Sequence, residues 1–175
     1  MMLATEKLIV THVSTHVSIV EAASRVKKER ILDVIRLTAD ALAKIRSQAR
    51  IAVTGLNPHA GENGAFGNEE LKEIIPAIEA ARDEGYTVIG PEPGDTVFFN
   101  AVHRDKFDAV VCMYHDQGHI LIKTLDFDGG VNVTLGLPII RTSVDHGTAY
   151  DIAYKGVART RSFVLALNMA QAMSR

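Results

Sequence analysis

Short runs of apolar residues alternate along this chain with longer segments in which apolar side chains recur every three or four positions. Ile51–Thr54 and Ala109–Met113 are apolar almost throughout, which is typical of strands buried on both faces of a parallel sheet. Glu29–Ser47 carries its apolar residues on one stripe, which predicts an amphipathic helix. This alternation predicts an α/β protein with a mostly parallel sheet flanked by helices. A ligand would bind beyond the carboxyl ends of the strands.

The rest of the chain continues the same pattern. The predicted strands are Leu8–Val13, Ile51–Thr54, Thr87–Ile89, Ala109–Met113, Val131–Leu135 and Ile139–Arg141. The predicted helices are Ile19–Val26, Glu29–Ser47, Asn68–Asp83, Thr148–Tyr154 and Arg161–Met173. Asn68 is a suitable cap for its helix and Gly85 a suitable stop, whereas Pro76 inside the helix predicts a kink or an early break.

The composition fits one domain with its own core. The chain has 175 residues, 47% of them hydrophobic, and a formal net charge of −2, so nothing favours a nucleic-acid partner. No apolar stretch approaches the roughly 20 residues of a membrane span, and the start lacks the features of an export signal. Cys112, the single cysteine, has apolar neighbours that argue against a nucleophilic role. We therefore expect a cytoplasmic protein without a membrane partner.

Three histidines follow predicted strands directly. His16 comes after the first strand, His59 lies in the glycine-rich segment after Ile51–Thr54, and His115 comes after Ala109–Met113. Strand ends converge in an α/β sheet, so three imidazoles could meet there and bind a divalent metal such as zinc, with coordination positions left for a substrate. Each histidine taken alone is explained as well by a turn or by a hydrogen bond in the core.

Two closer histidine pairs are alternative metal ligands. His12 and His16 are four residues apart, as are His115 and His119, the spacing with which a helix clamps an ion. His12 lies on a predicted strand, where residues four apart are too far separated to chelate. Gly118 disfavours a helix through the second pair. We therefore rank both pairs below the three-loop arrangement.

Other polar residues of the same loops are further candidates. Asp95, Asp116 and Asp145 could each orient a histidine, and each could equally cap a turn. Lys123 and Arg141 are cations among apolar neighbours, and Arg141 suits a bidentate grip on a carboxylate or phosphate. The sequence contains no Gly-x-Gly-x-x-Gly, Walker or Gly-x-Ser-x-Gly motif, which argues against the common dinucleotide, nucleotide and serine-hydrolase sites.

Four segments together resemble one known family. They are Gly55–Glu62 (GLNPHAGE), Met113–Gly118 (MYHDQG), Gly130–Pro138 (GVNVTLGLP) and Ile140–Ala149 (IRTSVDHGTA). These segments are similar to those of the 4-hydroxythreonine-4-phosphate dehydrogenase family, and the resemblance runs over essentially the whole chain. It implies an isocitrate/isopropylmalate-dehydrogenase-like fold and a cytoplasmic homodimer. It also implies NAD-dependent oxidation, with decarboxylation, of a phosphorylated 3-hydroxy acid such as 4-phosphohydroxy-L-threonine.

The resemblance also implies roles for single residues. His16, His59 and His115 match the family's ligands for a divalent metal (Zn, Mg, Co or Mn), one histidine of each site coming from the partner subunit. Lys123, Asn132 and Arg141 match residues that hold the phosphorylated substrate. Lys123 and Asp116 are the candidate catalytic residues, Lys123 for proton handling. The candidate cofactor loop comprises His146, Gly147, Thr148 and Asp151, with Tyr154 where the related motif usually has glycine.

The chain departs from the family in length and in detail. Family members are nearly twice as long, which predicts a metal-binding and dimerisation domain over residues 1–159. Residues 160–175 would then form a helix that returns to a missing N-terminal domain, and the chain alone would be inactive. The segment Gln117–Ile120 with Lys123 is more similar to a paralogous branch that acts on phosphorylated threonate or erythronate, or on an aromatic dihydrodiol. A metal-dependent hydrolase or lyase and a non-catalytic dimerisation module are the alternatives from other classes.

Overall fold

The computed structural model describes residues 1–174, which form one seven-stranded sheet with helices on both faces. The strands are β1 (Met2–Ala4), β2 (Ile9–His12), β3 (Ile51–Thr54), β4 (Val88–Glu92), β5 (Ala109–Cys112), β6 (Val131–Thr134) and β7 (Arg141–Val144). The helices are α1 (Ile19–Ser24), α2 (Lys28–Ala43), α3 (Ile75–Asp83), α4 (Val97–Arg104), α5 (His115–Leu125) and α6 (Arg161–Met173). Among these residues, no helix is long and apolar enough to cross a membrane.

The strand order is β4-β3-β5-β2-β1-β6-β7. β4, β3, β5 and β2 are parallel neighbours, whereas β1 is antiparallel to both β2 and β6, and β7 is antiparallel to β6. Five of the seven strands therefore run in the same direction, and the predicted mostly parallel α/β sheet is confirmed. The carboxyl ends of β2, β3 and β5 lie at one edge of the sheet.

The two faces of the sheet carry separate apolar clusters. On one face, Ile31, Ile35 and Leu42 of α2 are fully buried, together with residues of α3 and α6. On the other face, Val97 of α4 and Ile122 of α5 pack against β1, β2 and β5. Each such buried side chain stabilises the fold by about 1.5–3 kcal/mol. The continuously apolar strands therefore correctly predicted a sheet that is covered on both faces.

Pro76 does not break the predicted helix over Asn68–Asp83. Glu70–Ile74 forms a π-type turn, and α3 begins directly after it at Ile75. Proline is well tolerated in the first turn of a helix, because the N–H that it lacks has no partner there. Gly85 adopts φ +91° after the helix end, as a C-terminal stop requires.

Several other predictions were wrong. Ile139–Arg141 is not a strand, because β7 starts only at Arg141 and continues to Val144. Thr148–Tyr154 is not an α-helix and contains only a short 3₁₀ turn, Tyr150–Ile152. The sequence reading missed β1, α4 and α5, of which β1 has only three residues and joins β2 through a tight turn.

The helix α5 runs through Gly118, although glycine disfavours helices. A Cβ atom at this position would lie 2.6 Å from His12 Nε2 and 3.0 Å from Cys112 Sγ. The glycine therefore allows α5 to approach β2 and β5 closely, and this packing outweighs its low helix propensity.

The C-terminal helix α6 covers β6 and β7 in part. Thr142 Oγ1 of β7 donates a hydrogen bond to Ala166 O of α6 at 2.9 Å, and Ala166 is buried. Phe163 and Leu167 lie on the opposite side and are 58% and 56% exposed. These two side chains leave an exposed apolar strip on α6, while Leu165 packs partly against the core. The boundary between residues 159 and 160 stays a prediction.

Candidate metal and substrate site

The backbone beyond β2 and β5 brings His16 and His115 together. Pairing continues past the strand ends, since Val13 N–H donates to Cys112 O at 2.9 Å. Ser14 Oγ then donates to Met113 O at 3.1 Å. These bonds fix the chain just before His16 against the chain just before His115.

His16 and His115 lie on one open pocket of about 630 Å³. Their ring centroids are 5.4 Å apart, with His16 exposed and His115 partly buried. Tyr114 and Asp116 complete this side of the pocket, and Val17 to Ile19 line the other. The structure thus places two of the three predicted metal ligands in one solvent-accessible cavity.

Asp116 orients the ring of His115. His115 Nδ1 lies 2.7 Å from Asp116 Oδ1. An ionised carboxylate only accepts hydrogen bonds, so this contact assigns the ring proton to Nδ1 and leaves the Nε2 lone pair free. A carboxylate behind a histidine is the usual support of a metal-ligating imidazole. The contact therefore matches the expectation that Asp116 acts on a neighbouring histidine.

His119 and His12 form the buried side of the histidine cluster. The rings of His115 and His119 stack with centroids 3.6 Å apart, and His12 lies 4.7 Å from His119. His12 is only 1% exposed, and neither of its ring nitrogens has a hydrogen-bond partner among residues 1–174. Burial, and then the neighbouring His119 and His115, lower its pKa to about 3. Burial also lowers the pKa of His119. Both rings are therefore best described as neutral packing partners of His115.

His59 lies in a neighbouring pocket. This pocket has a volume of about 530 Å³ and is lined by His59, Asp95 and Gln117, and it shares Tyr114 and Asp116 with the first pocket. His59 is exposed, with its ring 6.1 Å from that of Phe66. Within residues 1–174, no three His, Cys, Asp or Glu side chains are grouped closely enough to hold one metal ion. One copy of the chain thus brings His16 and His115 together and leaves His59 apart.

Two residues that the sequence reading gave no role tie these loops together. Gln117 Oε1 accepts hydrogen bonds from Met113 N–H and Thr54 Oγ1 at 2.7 and 2.8 Å, and its Nε2 donates to Gly55 O at 2.9 Å. Gln117 therefore links the ends of β3 and β5 to the first turn of α5. Glu70 holds the loop that carries His59. Both residues stand among other polar residues in the sequence, which gives no signal that their side chains bind the backbone of another loop.

The three predicted substrate residues lie around one face of the sheet. Asn132 is paired with Ser143 and Thr134 with Arg141 in the β6–β7 register, and residues two apart on a strand share a face. Arg141 Nη1 donates to Thr134 Oγ1 at 2.8 Å. The neighbour of Asn132 on β1 belongs to the apolar cluster that α5 covers, so α5, which carries Lys123, packs on this same face.

Lys123 lies in a more polar environment than its apolar sequence neighbours implied. Its Nζ is 2.5 Å from Asp145 Oδ2 and donates to Asp145 O at 2.7 Å. It also lies 5.3 Å from the ring centroid of Phe127. A carboxylate 22 residues away in sequence thus reaches the ammonium of Lys123.

The predicted cofactor loop is an exposed segment beside α6. His146 Nε2 lies 3.1 Å from Ser162 Oγ, and Nδ1 lies 2.9 Å from Gly147 O. The loop lines an open pocket of about 560 Å³ that includes Gly147, Thr148 and Tyr154 but not Asp151. Tyr154 has φ +62°, the backbone conformation that a glycine adopts readily. The unusual tyrosine thus occupies a position where the backbone favours glycine.

The fold and these loops define an α/β protein with an imidazole-rich pocket at the carboxyl edge of its parallel strands. Residues 1–170 match the family model described as pyridoxal phosphate biosynthetic protein PdxA. The chain therefore belongs to the PdxA family, whose named relatives are dehydrogenases.

Two curated relatives of different name are equally similar to this chain. It is 55% identical over 172 residues to the 4-hydroxythreonine-4-phosphate dehydrogenase of Desulforapulum autotrophicum, covering 97% of this chain and 50% of the relative. It is also 55% identical over 172 residues to a putative D-threonate 4-phosphate dehydrogenase of Oceanobacillus iheyensis, covering 97% of this chain and 52% of the relative.

A crystal structure of 4-hydroxythreonine-4-phosphate dehydrogenase from Klebsiella pneumoniae superimposes with a TM-score of 0.87 at 46% identity. The superposition covers 99% of this chain and 53% of that one. The fold assignment is thereby confirmed, and the chain spans about half the length of the relatives that it matches.

Proposed function

We propose that this chain is the metal-binding and substrate-binding half of an enzyme that oxidises a phosphorylated hydroxy acid with NAD. The observation that carries the proposal is the pocket shared by His16 and His115, with Asp116 behind His115. Lys123 and Arg141 add positive charge on the α5 face of the sheet, which suits a substrate bearing phosphate and carboxylate groups.

The donor set fits a divalent metal in its chemistry. His16 and His115 offer imidazole side chains to one cavity, and the Asp116 contact leaves the Nε2 of His115 free to ligate. His59 is exposed and separate, so we assign it to the site of a second copy in a homodimer. A zinc, magnesium, cobalt or manganese ion held there would polarise the substrate hydroxyl.

The other residues bind the substrate and the cofactor. Asn132 and Arg141 would hold the phosphorylated end, and Lys123 would accept or deliver a proton. The segment His146–Asp151 would hold NAD, and NAD bound there would supply the hydride acceptor for oxidation of a secondary alcohol. Loss of carbon dioxide from the resulting β-keto acid completes the proposed reaction.

The relatives leave two substrates to choose between, 4-hydroxythreonine 4-phosphate and threonate 4-phosphate. Both substrates carry a carboxylate, a hydroxyl and a terminal phosphate, so the same cationic residues suit either substrate. An aromatic dihydrodiol lacks the phosphate, so it would use only part of this cationic surface. The buried thiol of Cys112 suits a reducing compartment, and we place the enzyme in the cytoplasm.

The metal site is tested by zinc titration of the chain and of His16→Ala, His59→Ala and His115→Ala variants, with the oligomeric state measured in parallel. We expect each substitution to weaken binding at least tenfold, and His59→Ala to do so only where the dimer forms. Unchanged zinc affinity in all three variants would refute the metal site.

The reaction is tested in a fusion of the chain with the N-terminal half of a relative. We expect NADH formation with the two phosphorylated substrates and none with an unphosphorylated diol. We also expect no activity from the 175 residues alone, because they span only about half the length of the relatives. Turnover of a substrate without NAD would instead favour a metal-dependent hydrolase or lyase.

A further inference from the structure

The Glu70 carboxylate is buried beneath the segment that carries His59. Glu70 is 2% exposed, and its Oε1 accepts hydrogen bonds from the backbone N–H groups of Leu56 and Asn57 at 2.8 and 2.7 Å. Its Oε2 accepts a hydrogen bond from Asn57 Nδ2 at 2.9 Å. No lysine or arginine within residues 1–174 forms an ion pair with it. The carboxylate is thus satisfied entirely by donors of one loop.

The loop also packs tightly onto this carboxylate. A Cβ atom at Gly61 would lie 2.6 Å from Glu70 Oε2, closer than any side chain tolerates. At Gly55, a Cβ would lie 2.7 Å from Ala60 Cα and 3.2 Å from Glu70 Oε1. The two glycines therefore let the backbone before and after His59 close around one carboxyl group.

The conformation held in this way is unfavourable on its own. His59, Ala60, Gly61, Glu62 and Asn63 have φ values of 52°, 52°, 78°, 41° and 53°. Residues other than glycine disfavour this left-handed region, and they adopt it in succession only where the surroundings impose it. In this loop the Glu70 carboxylate accepts hydrogen bonds from Leu56 and Asn57, which precede His59, and lies in close contact with Gly61, which follows it.

The π-type turn that precedes α3 fixes Glu70 in turn. It is the first residue of the π-type turn Glu70–Ile74, whose other end, Ile74, is fully buried in the core. Turns of this kind aim a side chain differently from a regular helix, and they occur frequently at functional sites. The Glu70 carboxylate therefore connects the loop that carries His59 to a turn that is anchored in the core.

We propose that Glu70 is a positioning residue, which sets the place of His59 as a metal ligand by holding the Leu56–Gly61 backbone. The inference rests on the proposed function, since it takes His59 as a ligand. All three hydrogen-bonding partners of the carboxylate are donors, so a glutamine at this position would turn its own amide group towards the Asn57 amide. Even this isosteric change is expected to release the loop.

The test compares Glu70→Gln, Gly61→Ala and His59→Ala in the 175-residue chain, with Glu73→Gln as the matched control. Glu73 is one turn further along and accepts from Lys27 Nζ and Lys28 N–H, so its loss perturbs the same region without touching the loop. Amide exchange at Leu56 and Asn57 reports on the loop, and zinc titration reports on His59. Gly61→Ala keeps the test valid if Glu70→Gln does not fold.

We expect Glu70→Gln and Gly61→Ala to accelerate exchange at Leu56 and Asn57 at least tenfold. We also expect them to weaken zinc binding 10- to 100-fold, the range for outer residues of metal sites, and Glu73→Gln to change neither quantity. Parent-like zinc affinity in both loop variants, with weakened binding in His59→Ala, would overturn the positioning role alone. Zinc titrations are run at concentrations where the chain is dimeric, the state in which His59 is proposed to ligate. Unchanged zinc binding in dimeric His59→Ala would overturn both that role and the proposed use of His59.

Discussion

The imidazole rings of His115 and His119 stack on one side of α5, with 3.6 Å between their centroids and 10° between their planes. His119 Nδ1 lies 3.1 Å from His115 O, so it donates to that carbonyl. Parallel stacked rings do not converge on one ion, although their spacing in sequence is that of a helical clamp. His119 is thus a packing partner that limits the rotation of His115, and Asp116 on the other edge selects its tautomer.

The first prediction concerns Asp116. Replacing it with asparagine removes the charged acceptor of His115 Nδ1–H, so the ring loses its preference for a free Nε2 lone pair. We expect Asp116→Asn to weaken zinc binding 10- to 100-fold and to leave the melting temperature unchanged, because this side chain is 64% exposed. Isothermal titration with zinc measures the affinity. Asp40→Asn, an exposed substitution on α2, is the control, and equal affinities in the two variants would contradict the orienting role.

The second prediction is a loss of stability in acid that traces to His12. Its pKa is lowered to about 3 in the folded chain, chiefly by burial, from an ordinary value of 6.5. Between pH 6.5 and about pH 3, His12 therefore binds a proton in the unfolded chain but not in the folded chain. The contribution of neutral His12 to the free energy of unfolding is complete above pH 6.5. It is lost as pH falls towards 3, with a slope of about 1.4 kcal/mol per pH unit.

Urea unfolding of the metal-free chain between pH 7 and pH 4 checks this dependence. His12→Leu should flatten the profile, while stability at pH 7 is maintained, since an apolar residue of similar size removes two buried nitrogens without partners. His103→Gln, an exposed change on α4, should retain the parent slope. A parent-like slope in His12→Leu would show that other groups carry the acid lability.

The third prediction concerns Cys112. Burial raises the pKa of this thiol far above its ordinary value, and the side chain is completely inaccessible. The nucleophilic thiolate is therefore absent at neutral pH. We expect no reaction with a disulfide reagent in the native chain and one thiol per chain after denaturation. Rapid labelling under native conditions would mean that the sheet opens near β5.

The sequence was sufficient for the parts of the molecule where one local signal dominates. The strand Ile51–Thr54 and the helix Arg161–Met173 have the predicted bounds. An unbroken apolar run predicts a strand, and a long amphipathic repeat predicts a helix, with few alternative structures for either pattern. β7 lies further along the chain than predicted, because Pro138 to Ile140 belong to a loop although they are apolar. Hydropathy alone cannot show which apolar residues remain outside the core.

The candidate site was predictable in its residue types but not in its arrangement. His16 and His115 meet because β2 and β5 are parallel neighbours, which follows from the fold class. The separation of His59 depends on a left-handed loop and on Glu70, 11 residues away, and no periodicity encodes such a contact. Lys123 and Asp145 likewise meet only through tertiary structure.

The last prediction sets packing against helix propensity at Gly118. Alanine is preferred to glycine inside a helix by about 1 kcal/mol, so propensity alone predicts that Gly118→Ala stabilises α5. The added Cβ would lie 2.6 Å from His12 Nε2 and 3.0 Å from Cys112 Sγ, both buried and without room to move. Overpacking of this kind costs about 1–3 kcal/mol. We therefore expect a net loss in the free energy of urea unfolding.

The same measurement separates this loss from a general sensitivity to glycine replacement. Gly147→Ala is the control, because a Cβ there meets nothing within 4 Å and its backbone φ is not in the left-handed region. The double variant His12→Ala/Gly118→Ala should recover part of the loss, since the smaller residue at 12 removes the closest obstacle. A Gly118→Ala variant more stable than the parent would mean that α5 can move away from β2, which would also shift His115 relative to His16.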